Sequence, residues 1–430
     1  MIESEAPLER DAVQKQSPSV GMGSVLRSVL VLFVAVFLMM MASGPLTTTI
    51  SLRLQAAAVP APLIGIVMSA YYAGLTLGAL LVHRVIRQAG HIRTFAAFAS
   101  VLSGTSLIYA LHLNPLLWGG LRLVEGFCMA GVFVCIESWL NDRATAETRG
   151  NVMAIYMTSL YSGQALGQLL LNVEDRSGYL LFIIISIILS LSVVPVALTR
   201  MAPAPLPEIA AMSFRRLYRA SPLGIVGSVA SGVILGSLFS LGPVFAQAVG
   251  LDISATALFM STIILGGVLL QWPVGRLSDV FDRRLVIVCV LAGIVLIGVS
   301  MTLVAHEGGA ALLVVALAFG GASFALYPLS VAQTHDFLAR SDRVAGSGGL
   351  ILAYSTGAIL GPLAASSTMN FAGAASLFAF TTVVGVLALI FGLWRMTVRP
   401  SAASDVRAPY AGLPRTSPVV ASDRGPASGP

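Results

Sequence analysis

Residues 74–93 read GLTLGALLVHRVIRQAGHIR, and 192 positions later residues 266–284 read GGVLLQWPVGRLSDVFDRR. The alignment sets Gly74 on Gly266, Gly90 on Asp282 and His91 on Arg283. A second echo, at an offset of 194, pairs YSGQALGQL (161–169) with YSTGAILGPL (354–363), so that Gly163 and Gly167 match Gly357 and Gly361. Self-similarity at one long offset divides the chain into two like units.

Composition says what solvent those units meet. Of 430 residues, 57% are hydrophobic and 10% charged, with a mean hydropathy of +0.89. A soluble domain carries roughly 25% charge. The chain lacks the polar surface to face water, so it reads as a polytopic membrane protein, and disordered, collagenous, coiled-coil and disulfide-scaffold classes are excluded. The net charge of +6 comes from arginines in short loops, with Lys15 the single lysine, so it is not a nucleic-acid signal. Cys128 and Cys135 are two helical turns apart, roughly 10 Å, too far for a disulfide. The five histidines are scattered, and neither a metal nor any other cofactor is implied.

A spanning helix needs about 20 apolar residues. Twelve stretches qualify: 27–51, 62–82, 94–113, 116–140, 150–171, 179–199, 221–248, 254–274, 285–305, 310–333, 345–368 and 371–395. The first resembles a signal peptide in its flanks, but cleavage there would leave eleven spans and break the repeat. Alternate loops hold fourteen arginines while the opposite loops hold Arg53 and Arg176, which places both termini in the cytoplasm. The expected organisation is a disordered tail (1–24), a six-helix half (25–199), a cytoplasmic linker (200–220) containing APAPLPE and the basic amphipathic FRRLYR, a second six-helix half (221–396) and a second disordered tail (397–430). The fold class is all-α, with twelve transmembrane helices in two pseudo-symmetric halves.

GRLSDVFDRR (275–284) resembles the loop motif G-x-L-x-D-x-x-[GD]-R-[RK] of the major facilitator superfamily, between spans 8 and 9. RLVEGFCMAGVFVCIESWLN (122–141), YMTSLYSGQALGQLLL (156–171), QWPVGRLSD (271–279) and AYSTGAILGP (353–362) resemble its YcaD-like branch, itself similar to a group of alphaproteobacterial riboflavin importers. The resemblance runs from about residue 28 to 395. It implies alternating access by a monomer in the bacterial inner membrane, with Gly275, Asp279, Arg283 and Arg284 forming a cytoplasmic latch. The candidate partners of Asp279 are Arg283, Arg284 and Arg343. Two departures weaken an assignment to drug/proton antiporters: Arg87 stands where the first-half motif would carry an acid, and Gln168 stands where span 11 has Pro362.

Ionisable groups inside a bilayer are costly and mark function or a fixed pair. Span 4 holds Arg122, Glu125 and Glu137. Arg122 and Glu125 are spaced to pair on one face, either as a proton or substrate site or as a structural pair. The matching span 10 positions are Ala316 and Phe319, so repeat symmetry does not account for the charge. Glu137 reads as a gate or latch residue, or as one reaching the interface. The candidate substrate cavity draws Thr47, Tyr72, Glu125, Gln164, Gln168, Ser240, Gln271, Tyr327 and Tyr354 from spans of both halves, with Thr48, Tyr71, Tyr161, Ser237 and Ser323 beside them. Amides, hydroxyls and rings with little fixed charge suit a neutral, planar solute. No Walker-type phosphate loop occurs, which argues against an ATP-driven pump, and a membrane enzyme or receptor would want a candidate nucleophile, metal site or large extramembrane domain that the sequence does not offer. Uptake of a neutral aromatic solute such as riboflavin is the leading expectation, and proton-coupled efflux of drugs or metabolites is the alternative.

Overall fold

The computed structural model describes residues 22–144, 148–173, 178–199, 204 and 212–398. Thirteen α-helices occur among them. They are α1 (Met22–Ala56), α2 (Ala61–Ala89), α3 (His91–Leu111), α4 (Pro115–Arg143), α5 (Arg149–Gln168), α6 (Leu180–Ala197), the short α7 (Phe214–Ala220), α8 (Pro222–Ala248), α9 (Ile253–Val280), α10 (Arg283–Val304), α11 (Gly309–His335), α12 (Arg343–Ala372) and α13 (Leu377–Val398). Eleven are long and apolar enough to cross a membrane. The exception among the long ones is α5, whose 20 residues include Asn151, Tyr161, Gln164 and Gln168.

Helix starts follow local chemistry. Asn114 accepts from the amides of Leu116 and Leu117 at 2.9 and 3.2 Å and opens α4 with Pro115 behind it. Asp252 caps α9 through Ala255 at 2.7 Å, and Asp282 caps α10 through Arg284 at 3.0 Å. Gly90, matched to Asp282 in the repeat, turns α2 into α3 with φ +82°, a conformation open to glycine. The two units therefore make the same corner by different means.

Several boundaries differ from the hydropathy reading. α1 runs from Met22 rather than residue 27, α2 continues to Ala89 rather than 82, and α9 continues to Val280 rather than 274. Apolar counting stops where polar residues begin, but a helix satisfies its own backbone and continues past the hydrocarbon. α13 starts at Leu377 rather than 371, because α12 extends to Ala372 and Gly373 breaks the chain with φ +86°. Of the two expected tails, residues 22–24 belong to α1 and 397–398 to α13, and the remainder lies outside the described residues. The linker contains α7; Arg200, Arg176 and all of APAPLPE except Ala204 also lie outside them.

The packing of the first six helices recurs in the last six. α1 packs on α5 and α6, α2 on α4, and α3 on α4 and α6; likewise α8 packs on α12 and α13, α9 on α11, and α10 on α11 and α13. The largest crossings that join the sets are α2 with α12, α5 with α9, and α1 with α8; the repeat exchanges the first two and maps the third onto itself. The tightest crossings repeat atom for atom. A Cβ on Gly74 would strike the Leu123 carbonyl and one on Gly126 the Tyr71 carbonyl. Their counterparts Gly266 and Gly320 would strike the carbonyls of Leu317 and Ile263. At these points backbone meets backbone, which only a missing side chain permits.

Burial ranks the helices. α4 and α8 bury 83% and 78% of their most apolar windows, whereas α6 and α13 bury 33% and 28%. The former are interior and the latter form the lipid-facing rim. Gly126→Val and Gly320→Val should each lose about 1–3 kcal/mol or more of stability from overpacking. Gly104→Ala, with nothing within 4 Å of the added carbon, should be neutral or slightly stabilising. Thermal unfolding of the three purified variants in detergent checks this.

Candidate substrate cavity and latch

A cavity of about 150 Å³ lies against the buried face of α4. Arg122 and Glu125 reach it one turn apart, with Arg122 Nη1 donating to Glu125 Oε2 at 3.0 Å. Both side chains are almost fully removed from solvent, at 3% and 2% exposure. Three other helices meet this pair. Arg122 lies over the Tyr71 ring of α2 at 4.4 Å and reaches Thr47 Oγ1 of α1 at 3.4 Å, while Thr105 of α3 donates to Glu125 Oε1 at 3.4 Å. Thr48 donates to Gln168 Oε1 at 2.9 Å and ties α1 to α5. The charges thus neutralise each other, and neutral hydroxyls, amides and rings surround them.

Of the residues expected to line a cavity, Thr47, Tyr72, Glu125, Gln164, Gln168 and Tyr354 do so, together with Thr48, Tyr71 and Tyr161. Ser240, Gln271 and Tyr327 do not line it, and neither do Ser237 and Ser323. The lining comes from the first six helices except for Phe239 on α8 and Tyr354 on α12. Phe239 stands where polarity pointed to Ser240: adjacent helical residues diverge by about 100°, and on α8 it is Phe239 that lines the cavity. Sequence reasoning also missed Phe324, which joins Tyr161 (5.1 Å) to Phe239 (5.8 Å) edge to face and backs the aromatic wall. The signal was only its place in an apolar run. Tyr327 instead packs its ring on Tyr354 at 5.2 Å.

Glu137 is fully buried near the arginine-rich end of α4 and accepts from the Tyr156 hydroxyl at 2.9 Å. The loop motif centres on Arg283 rather than Asp279. Arg283 is 1% exposed and donates to both carboxylate oxygens of Asp336 at 2.8 Å, to the Ala332 carbonyl at 3.1 Å, and to Asp279 at 3.2 Å. Asp336, at the C-terminus of α11, was not singled out from the sequence, because nothing in its local spelling ties it to residue 283. Arg284 pairs instead with Asp282 at 2.9 Å. Gly275 is buried on α9 one turn before Asp279.

The family model of the Major Facilitator Superfamily matches residues 32–326 and 264–421. The chain belongs to this superfamily of transporters. It is 30% identical over 338 residues to the uncharacterized MFS-type transporter YcaD of Escherichia fergusonii, covering 78% of this chain and 87% of that one. It is 29% identical over 353 residues to YcaD of Salmonella enteritidis, covering 81% and 91%. Its fold is similar to that of a mutant of the nucleoside transporter NupG, with TM-score 0.73, 14% identity and coverage of 85% and 99%. It is also similar to a bacterial homologue of the human lysosomal transporter Spinster in an inward-facing, occupied conformation (0.70, 15%, 88% and 97%) and to a D-xylose–proton symporter (0.66, 14%, 85% and 97%). As a YcaD-like member of the superfamily, the chain is a multi-pass membrane transporter rather than an enzyme.

Breaking a buried ion pair costs about 3–5 kcal/mol, whereas losing an exposed partner costs roughly 0–1 kcal/mol. Asp336→Asn should therefore lower folded yield and melting temperature strongly, and Asp279→Asn, whose carboxylate is 39% exposed, should barely change either. Fluorescence-detected gel filtration after a heating series separates the two.

Proposed function

We propose that this transporter imports a neutral aromatic solute by alternating access, with riboflavin as the named candidate. The observation that carries the proposal is the lining of the cavity: Tyr71, Tyr72, Tyr161, Phe239 and Tyr354 bring aromatic rings to it, Thr48, Gln164 and Gln168 bring hydroxyl and amide groups, and the ion pair among its described residues, Arg122–Glu125, closes on itself. A multiply anionic solute would want an excess of cations, and this lining has none. At about 150 Å³ the cavity is smaller than the roughly 300–1,000 Å³ of pockets that enclose drug-sized ligands. A ring system would enter as the helices part.

The recurrent packing supports two six-helix halves, with α5 as the twelfth span. Tyr161, Gln164 and Gln168 are accommodated because they line the cavity and not lipid. The arginine bias supports cytoplasmic termini in an inner membrane, and a monomer is the expected working unit. Glu125 is the candidate coupling group, with Arg122 as its partner, and Glu137, held by Tyr156, is the second buried carboxylate of α4. Arg283, Asp279 and Asp336 form a latch at the arginine-rich end.

Two experiments test this reading. In cells of a riboflavin auxotroph expressing the protein, unlabelled riboflavin should suppress uptake of labelled riboflavin at least tenfold more effectively than flavin mononucleotide. Equal competition, or no uptake, overturns the substrate assignment. For coupling, Glu125→Gln should abolish accumulation that an uncoupler also abolishes, while leaving downhill exchange. If wild-type uptake ignores the uncoupler and the Arg122→Gln/Glu125→Gln double variant is folded and fully active, the pair is structural only.

A further inference from the structure

At the arginine-poor end, where α1, α5 and α8 finish and α6 and α9 begin, lies a second and larger pocket of about 800 Å³. Both sets of helices wall it. Thr49, Leu52 and Arg53 come from α1 and Asn172 from the turn after α5, while Gln247 ends α8 and Ser254 opens α9. The arginine bias makes this the outer end.

That volume falls within the roughly 300–1,000 Å³ of pockets that enclose drug-sized ligands, whereas the substrate cavity, at about 150 Å³, is smaller. The lining carries one arginine and one aspartate, and both are engaged close by. Arg53 donates to the Gly178 carbonyl and lies over the Phe182 ring at 5.0 Å. Asp252 accepts from the Ala255 amide at 2.7 Å. The other polar groups of the lining are neutral. Asn172 and Ser254 are exposed on the rim and Gln247 is half-buried. Thr49 is 7% exposed, and its hydroxyl has no hydrogen-bond partner among the described residues. A buried hydroxyl without a partner costs free energy, which a hydrogen bond to a ligand offsets. Leu52, Leu181 and Ile253 add apolar wall. Balanced charge, amides, hydroxyls and apolar wall suit a neutral solute with polar edges, the class that the inner cavity also suits.

The pocket stands in line with that cavity. On α1, Thr47 and Thr48 line the cavity and Thr49 and Leu52 line the pocket. On the other wall, Gln164 and Gln168 line the cavity and Leu171 and Asn172 line the pocket. About one helical turn of each, roughly 5.4 Å, therefore separates the two spaces. Thr48 donates to Gln168 at 2.9 Å across this step. Elsewhere at the same end the two sets are in contact. Ser69 of α2 donates to the Ile359 carbonyl of α12 at 2.8 Å, and Gly65 lies against the Pro362 carbonyl. The pocket is thus formed while the sets are closed together at this end.

We propose that this outer pocket is a second solute site, at which a neutral aromatic solute docks before the step tied by Thr48 and Gln168 opens to the cavity. The proposal rests on the import reading above. The test is equilibrium dialysis of labelled riboflavin against the full-length protein in detergent, with gel filtration to check that each variant is folded. Two molecules should bind per chain. Ser254→Trp and Asn172→Trp, at exposed positions on different sets of helices, should each leave one. Gln164→Trp, which fills the inner cavity, should also leave one. A bound count unchanged in both outer variants overturns the proposal, and if those variants release a copurified phospholipid instead, the pocket is a lipid site. A single wild-type site lost only in Gln164→Trp overturns the outer site and leaves the substrate assignment standing. A single site lost only in the outer variants keeps the outer site and overturns the inner cavity as the place where the solute rests. No binding to the wild type overturns both.

Discussion

Lipid gives helices no hydrophobic reason to associate, because a neighbouring side chain is no more apolar than an acyl tail. Close packing has to supply the attraction, and here it is concentrated where backbones touch. Gly74 and Gly126 bring α2 onto α4, and Gly266 and Gly320 bring α9 onto α11 through equivalent carbonyl contacts. Gly163 and Gly167 press α5 on α1 as Gly357 and Gly361 press α12 on α8. These crossings hold α1, α2, α4 and α5 in the arrangement that the cavity lines. The position of Arg122 opposite Thr47 and Tyr71 depends on them.

On this repeated scaffold the charges are not repeated. Arg122 and Glu125 in α4 become Ala316 and Phe319 in α11, both fully buried. Phe319 instead packs on Phe378 at 5.0 Å, which packs on Phe245 at 4.7 Å. A buried pair costs more in desolvation than an apolar cluster of similar volume, so packing gives no reason to keep ions in one unit alone. That asymmetry is the physical argument for a role of the pair in transport.

The opposite asymmetry holds at the arginine-rich end. There the second unit carries the buried Arg283–Asp336 pair, and the first has His91 in place of the arginine, its ring 5.5 Å from Trp139. The matching acid, Asp142, is exposed. Buried charge therefore sits at the cavity in one unit and at the arginine-rich end in the other.

How much the sequence fixes by itself follows from the range of each interaction. Composition, the twelve apolar stretches, the 192-residue offset and the Arg122–Glu125 spacing are local or periodic properties, so they are legible without coordinates. So are the loop motif and the glycines that mark the crossings. What the sequence could not give are facts that join distant segments. The second acid on Arg283 is Asp336, 53 residues away; the cavity wall includes Phe239 rather than Ser240; and Thr105 of α3 completes the Glu125 site. Each depends on the rotation of one helix against another. That rotation is decided by side-chain packing over many residues, and a one-residue change of facing, about 100°, exchanges a serine for a phenylalanine at the same height.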